Sequence, residues 1–248
     1  MEGRRITYSI VLGCSAVFAT LFVEARAETR GVIELFTSQG CSSCPPADKL
    51  LDELASDPSL VAISLPIDYW DYLGWKDTLA NPRHSSRQRA YARTRGDRQV
   101  YTPQVVVNGS AHVLGSDKAA IDRAISQTRR NSATLSLPVD VSVVGSDLVV
   151  NVGAGKDDRG AGEVWICGLA RAVPVSIGRG ENRGHTLTYY NVVRRWLKLG
   201  DWTGKPNAWN VPLNEFNAGG VDEAAVIVQG GTADNPGTML GAAIATIP

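Results

Sequence analysis

The chain has 248 residues with 25 basic and 25 acidic side chains, so its formal charge is zero and it presents no basic field for nucleic acid or an anionic membrane. A 44% hydrophobic content suits a globular protein with a sizeable core, while four cysteines are too few for a disulfide-stapled scaffold.

The first element is a leader. Arg4 and Arg5 precede a largely apolar stretch from Ile6 to Val23, and Ala25-Arg26-Ala27 supplies a small-x-small cleavage pattern. Residues 1–27 are therefore expected to be a removable signal peptide, which places the mature protein in the periplasm or outside the cell. Thr7, Ser9, Ser15 and Thr20 interrupt the apolar stretch, so no stable membrane anchor is expected. Three cysteines remain after processing: Cys41, Cys44 and Cys167.

Val32-Ile33-Glu34-Leu35-Phe36 reads as a buried strand, and Ala47 to Leu54 reads as an amphipathic helix. Between them stands Ser38-Gln39-Gly40-Cys41-Ser42-Ser43-Cys44-Pro45-Pro46. A Cys-x-x-Cys at a strand-to-helix junction sets a sulfur beside unsatisfied N–H groups and the positive helix end, which stabilise a thiolate. That is the chemistry of a dithiol/disulfide couple. Pro45 and Pro46 suit the first helical turn but donate nothing, so only the Ser42, Ser43 and Cys44 amides remain near the sulfur. Cys41, ahead of the helix, is expected to be the more exposed and more acidic thiol.

Leu60 to Leu65 is a second apolar strand, followed by the insertion Asp68-Tyr69-Trp70-Asp71-Tyr72-Leu73-Gly74-Trp75 and a polar helix around Arg83 to Arg95. Gln104 to Val107 and His112 to Leu114 flank Asn108-Gly109, a strong hairpin signal. Ser116 to Ile125 closes the unit as a capped helix. The order is βαβ, helix, β-hairpin, helix.

The second half changes character near Arg130. Leu135 to Val143 and Leu148 to Val152 alternate across a Gly145-Ser146-Asp147 turn, with further strands expected at 163–170, 186–193, 222–229 and 239–246. This predicts a mainly antiparallel, sandwich-like β-rich unit over 132–248, or a sheet packed on the first unit. Trp196, Trp202 and Trp209, with Arg194 and Arg195, are expected between strands, and Cys167 is expected to be a buried, inert thiol.

The Cys-x-x-Cys after the first strand, the element order and the Thr102-Pro103 dipeptide opening the hairpin together resemble the thioredoxin-like superfamily. More narrowly, Glu34 to Asp48, Asp68 to Trp75, Tyr101 to Gln104, Ile177-Gly178-Arg179-Gly180-Glu181-Asn182 and Val228-Gln229-Gly230 resemble the secreted proteins grouped as domain-of-unknown-function family 1223. The superfamily resemblance implies an α/β thioredoxin-like domain over residues 28–131 with a β-rich domain behind it. It also implies a catalytic set: Cys41 as nucleophile, Cys44 as resolving thiol, and Pro103 as a cis-proline whose preceding residue, Thr102, pairs with an extended substrate. Glu34 stands roughly where thioredoxins hold a buried acid.

The function expected is thiol–disulfide exchange with a protein or peptide, completed by a redox partner and needing no cofactor. Two other classes compete: a copper or thiol-metal carrier with His185 as its third ligand, and a non-catalytic binding module with a structural disulfide.

Overall fold

The computed structural model describes residues 28–155, 161–216 and 219–248, so the expected signal at 1–27 falls outside the described residues. β1 (Gly31–Thr37) is buried along its whole length because both of its faces are covered. Val32 and Phe36 enter one core, whereas Ile33 and Leu35 enter another with Leu51, Leu54, Ile121 and Ile125. α1 (Pro45–Ala55) links β1 to the parallel β2 (Leu60–Pro66), and α2 (Pro82–Arg95) lies on the Val32–Phe36 side with Tyr91 in that core. β3 (Gln104–Val107) runs antiparallel to β1 and turns into β4 (Ala111–Leu114), after which α3 (Lys118–Thr128) returns to the α1 side. The β3–β4 turn places Asn108 and Gly109 at φ 50° and 72°, the left-handed region these residues tolerate. A side chain at Gly109 would also collide with the Gly237 carbonyl.

β5 (Val139–Val144) and β6 (Asp147–Val152) form a hairpin, followed by the long strands β7 (Gly162–Ser176) and β8 (Thr186–Trp202). β9 (Asn207–Pro212), the single turn α4 (Leu213–Phe216), β10 (Glu223–Thr232) and β11 (Asn235–Thr246) complete the chain. Four of these strands continue the first half's sheet in the order β11-β10-β7-β8-β2-β1-β3-β4. The seam is a parallel pairing of β2 and β8 at Ser64 and Val192. The small sheet β5-β6-β9 packs Val141, Leu148 and Val150 against Ile166, Val226 and Val228 of the long strands.

Trp196, Trp202, Arg194 and Arg195 lie inside β8, and Trp209 lies inside β9, contrary to the expected position between strands. In β8 the reason is irregular register. Arg195 pairs with Gly168 and Val193 with Leu169, so Arg194 is an extra residue and the two-residue alternation breaks.

Candidate functional site

β1 delivers Ser38-Gln39-Gly40, all buried, to the start of α1. The Cys41 N–H donates to the Ser38 carbonyl and the Cys44 N–H to the Cys41 carbonyl, each at 3.2 Å, which winds the cysteines to a Cα separation of 5.4 Å. They form a disulfide. Cys44 is the N-cap of α1, and Pro45 and Pro46 fill positions that require no backbone donor.

The expected difference in exposure is not observed. Cys41 is 2% exposed and Cys44 0%, while Ser42, Ser43 and Pro46 around them are exposed. Two distant segments cause this. Asn182, in the loop between β7 and β8, donates through Nδ2 to the Gln39 and Cys41 carbonyls, both at 2.9 Å. Its neighbour Glu181 accepts the Ser42 N–H at 3.0 Å. From the 68–78 segment, Trp70 packs against Gly40, and Trp75 donates to Gln39 Oε1 at 2.8 Å while covering Gly178 and Gly180. Of the three amides expected to serve the sulfur, Ser42's therefore goes to Glu181 and Cys44's to the Cys41 carbonyl. The Ser42 hydroxyl and then its N–H hold the Glu181 carboxyl below its usual range.

Thr102 and Pro103 precede β3. Their peptide bond is cis. Trp70 Nε1 donates to Thr102 Oγ1 at 2.8 Å, and Pro103 converges on Gly115 with Leu35 of β1 and Ala47 of the first α1 turn. Trp70, which packs against Gly40, thus links Thr102 to the cysteine turn, and Pro103 lies with Ala47 of the first α1 turn around Gly115.

Asp48 is the residue that sequence reasoning missed. Its N–H donates to the Cys44 carbonyl at 3.1 Å, which sets its side chain one turn into α1 on the face that buries Ala47, Leu51 and Leu54. The residue is 3% exposed, and neither carboxyl oxygen has a hydrogen-bond partner among the described residues. Thr37 Oγ1 and the Tyr189 hydroxyl are also buried and unpartnered. Burial pushes the Asp48 carboxyl up to about 8, opposed by the nearby Thr37 hydroxyl and assisted by the Asp77 carboxylate. It carries a proton at neutral pH. Burial and the same two acids push the Tyr189 hydroxyl up as well. An acid four residues after Cys44, within the apolar stripe 47, 51 and 54, was the available signal.

Glu34 faces the other way. Alternating with Ile33 and Leu35, it points toward α2, where Arg87 Nε meets its carboxylate at 2.6 Å and the Tyr91 hydroxyl donates to it. Arg87 also reaches Gln229 Oε1 at 2.8 Å, which explains why α2 is polar yet buried. Cys167 is free and buried, and burial raises its thiol well above the usual range. His185 is exposed, and no group of three or more His, Cys, Asp or Glu side chains that could hold a metal ion occurs among the described residues. No helix among them is long and apolar enough to cross a membrane.

The crystal structure of protein AGR_C_4864 from Agrobacterium tumefaciens is similar to this chain, with 33% identity and a TM-score of 0.79 over 89% of this chain and 95% of that one. No curated protein matches the chain significantly. The family described as "protein of unknown function (DUF1223)" matches residues 32–229, and the chain, carrying its buried disulfide at the head of α1, belongs to that family.

Proposed function

We propose that this protein is an exported, thioredoxin-like thiol–disulfide exchange protein acting through Cys41 and Cys44. The observation that carries the reading is the placement of the disulfide at the N-cap of α1, with the buried, neutral carboxyl of Asp48 on the residue whose N–H bonds the Cys44 carbonyl. A substrate thiolate attacks Cys41 Sγ, the Cys41–Cys44 bond breaks, and Cys44 leaves with the electron pair. The Asp48 carboxyl protonates that leaving thiolate. A second substrate thiol then displaces Cys41, so the substrate is oxidised to a disulfide and the pair reduced to a dithiol. In reverse, the Asp48 carboxylate takes the Cys44 proton as Cys44 resolves the mixed disulfide. An external dithiol or disulfide protein returns the pair to its starting state. The Thr102 backbone beside Pro103 offers the edge on which an extended peptide would lie, and the pattern at 1–27 supports work in the periplasm or outside the cell.

The test is trapping. Cys44→Ser should accumulate mixed disulfides that a reductant releases, and Cys41→Ser should not. A binding module with a structural disulfide is the second reading, favoured by the burial of both cysteines. Equilibration with thiol buffers separates the two, since a structural disulfide resists reduction until below about −300 mV.

A further inference from the structure

On the sheet face opposite α1, a cavity of about 830 Å³ opens between α2 and the strands β7 and β8. Six of its lining residues are arginines: Arg83, Arg87, Arg89, Arg93, Arg194 and Arg195. Asp234 is the single acid in the lining, and no lysine is present. His84 adds no charge at neutral pH, because burial pushes it down to about 4. Arg87 is matched by Glu34 beneath it, and its guanidinium lies 4.5 Å from the Trp196 ring centre and 4.9 Å from that of Tyr91. The other five arginines have no ion-pair partner among the described residues.

A chain with zero formal charge has no general excess of cations to explain this. Five unpaired guanidiniums around one concavity repel one another, and a bound anion removes the repulsion. The exclusive use of arginine matches planar, forked recognition of oxyanions, which lysine does not provide. Trp165 and Trp196, with ring centres 6.1 Å apart, add flat aromatic wall. The volume falls within the range of small-molecule sites. The register shift at Arg194 has a purpose here: it lets Val193 and Trp196 both enter the core under α2, with Arg194 and Arg195 beside them at the cavity.

We infer that this cavity binds an organic anion bearing two or more oxyanion groups and an aromatic ring, of about nucleotide size. The site is independent of the disulfide, on the other face of the sheet.

Titration of the full chain with ADP, trimesate, tripolyphosphate and adenosine, followed by tryptophan fluorescence and calorimetry, tests this. ADP or trimesate should bind saturably, the ring-free tripolyphosphate more weakly, and the uncharged adenosine at least tenfold more weakly than ADP. Binding should weaken as salt rises. The Arg194→Ala/Arg195→Ala variant, checked for an unchanged melting temperature, should lose tenfold or more in affinity, and Arg123→Ala on α3 should lose none. A Cys41→Ser/Cys44→Ser variant should bind as the wild type does, so failure of the redox reading leaves this result intact. Stronger binding by trimesate than by ADP would identify a polycarboxylate, and the reverse a phosphate. Absence of saturable binding by both, or binding indifferent to the Arg194/Arg195 change, overturns the assignment.

Discussion

Asp48 donates its backbone N–H to the Cys44 carbonyl at 3.1 Å, and its buried carboxyl has no hydrogen-bond partner among the described residues. The carboxyl's value of about 8 in the folded protein, against 3.8 as the ordinary value, means the native state holds a proton that the unfolded chain loses. The associated stability is complete below about pH 4 and is lost as pH rises to about 8, with a slope of about 1.4 kcal/mol per pH unit between. Asp48→Asn should abolish that slope. Urea midpoints at pH 5, 7 and 9 should show the variant gaining on the wild type as pH rises, and a constant difference would refute a buried, protonated Asp48. In exchange assays at pH 9, where Asp48 is a carboxylate, the variant should resolve mixed disulfides more slowly by on the order of a hundredfold.

Asn182 restrains the cover over Cys41 with two hydrogen bonds to carbonyls, each contributing about 1 kcal/mol. Asn182→Ala should speed reduction of the disulfide by a protein dithiol about tenfold or more, given 1.4 kcal/mol per decade. The exposed neighbour Arg183→Ala should leave the rate unchanged. Equal rates for all three proteins would show that the loop does not control access.

Glu181 places a carboxylate on the Ser42 amide that would otherwise serve a Cys41 thiolate. Glu181→Gln should lower the thiol pKa of reduced Cys41 by about 0.5 unit or more, read from the pH dependence of thiolate absorbance in Cys44→Ser. An unchanged or higher value would contradict this electrostatic relation.

Glu34→Ala leaves the buried Arg87 without its carboxylate partner and should destabilise the protein by about 3–5 kcal/mol. It should not change the Cys41 thiol pKa, because Glu34 serves α2 on the opposite face from α1. Denaturant unfolding and thiolate titration on the same variant distinguish the structural role from proton transfer.

The legible features were local ones. Pro45 and Pro46 after Cys44 mark a helix start because proline requires no donor there, and Asn108-Gly109 marks a turn because both tolerate positive φ. The cover of the site was not legible as contact. Asn182 reaches Gln39 across 143 residues and Glu181 reaches Ser42 across 139, and nothing near either residue encodes such a partner. Periodicity failed in β8, where extra residues break the alternation that identifies a strand and hide Trp196 and Trp202 within it. Burial of Asp48 was visible only as spacing, since an acid on an apolar stripe is ordinarily assumed to lean toward water.

The loop that closes over the cysteines hangs from two strands of 15 and 17 residues, and one of them pairs with β2. The halves of this chain are therefore not interchangeable cassettes. A fragment ending at Asn131 would keep both sulfurs but lose the Asn182 and Glu181 contacts, and the flank of β2 would become a raw edge open to pairing with other chains. Grafting the Cys-x-x-Cys unit onto another protein would transfer a bare thiol pair, while the control of who may reach it would stay behind.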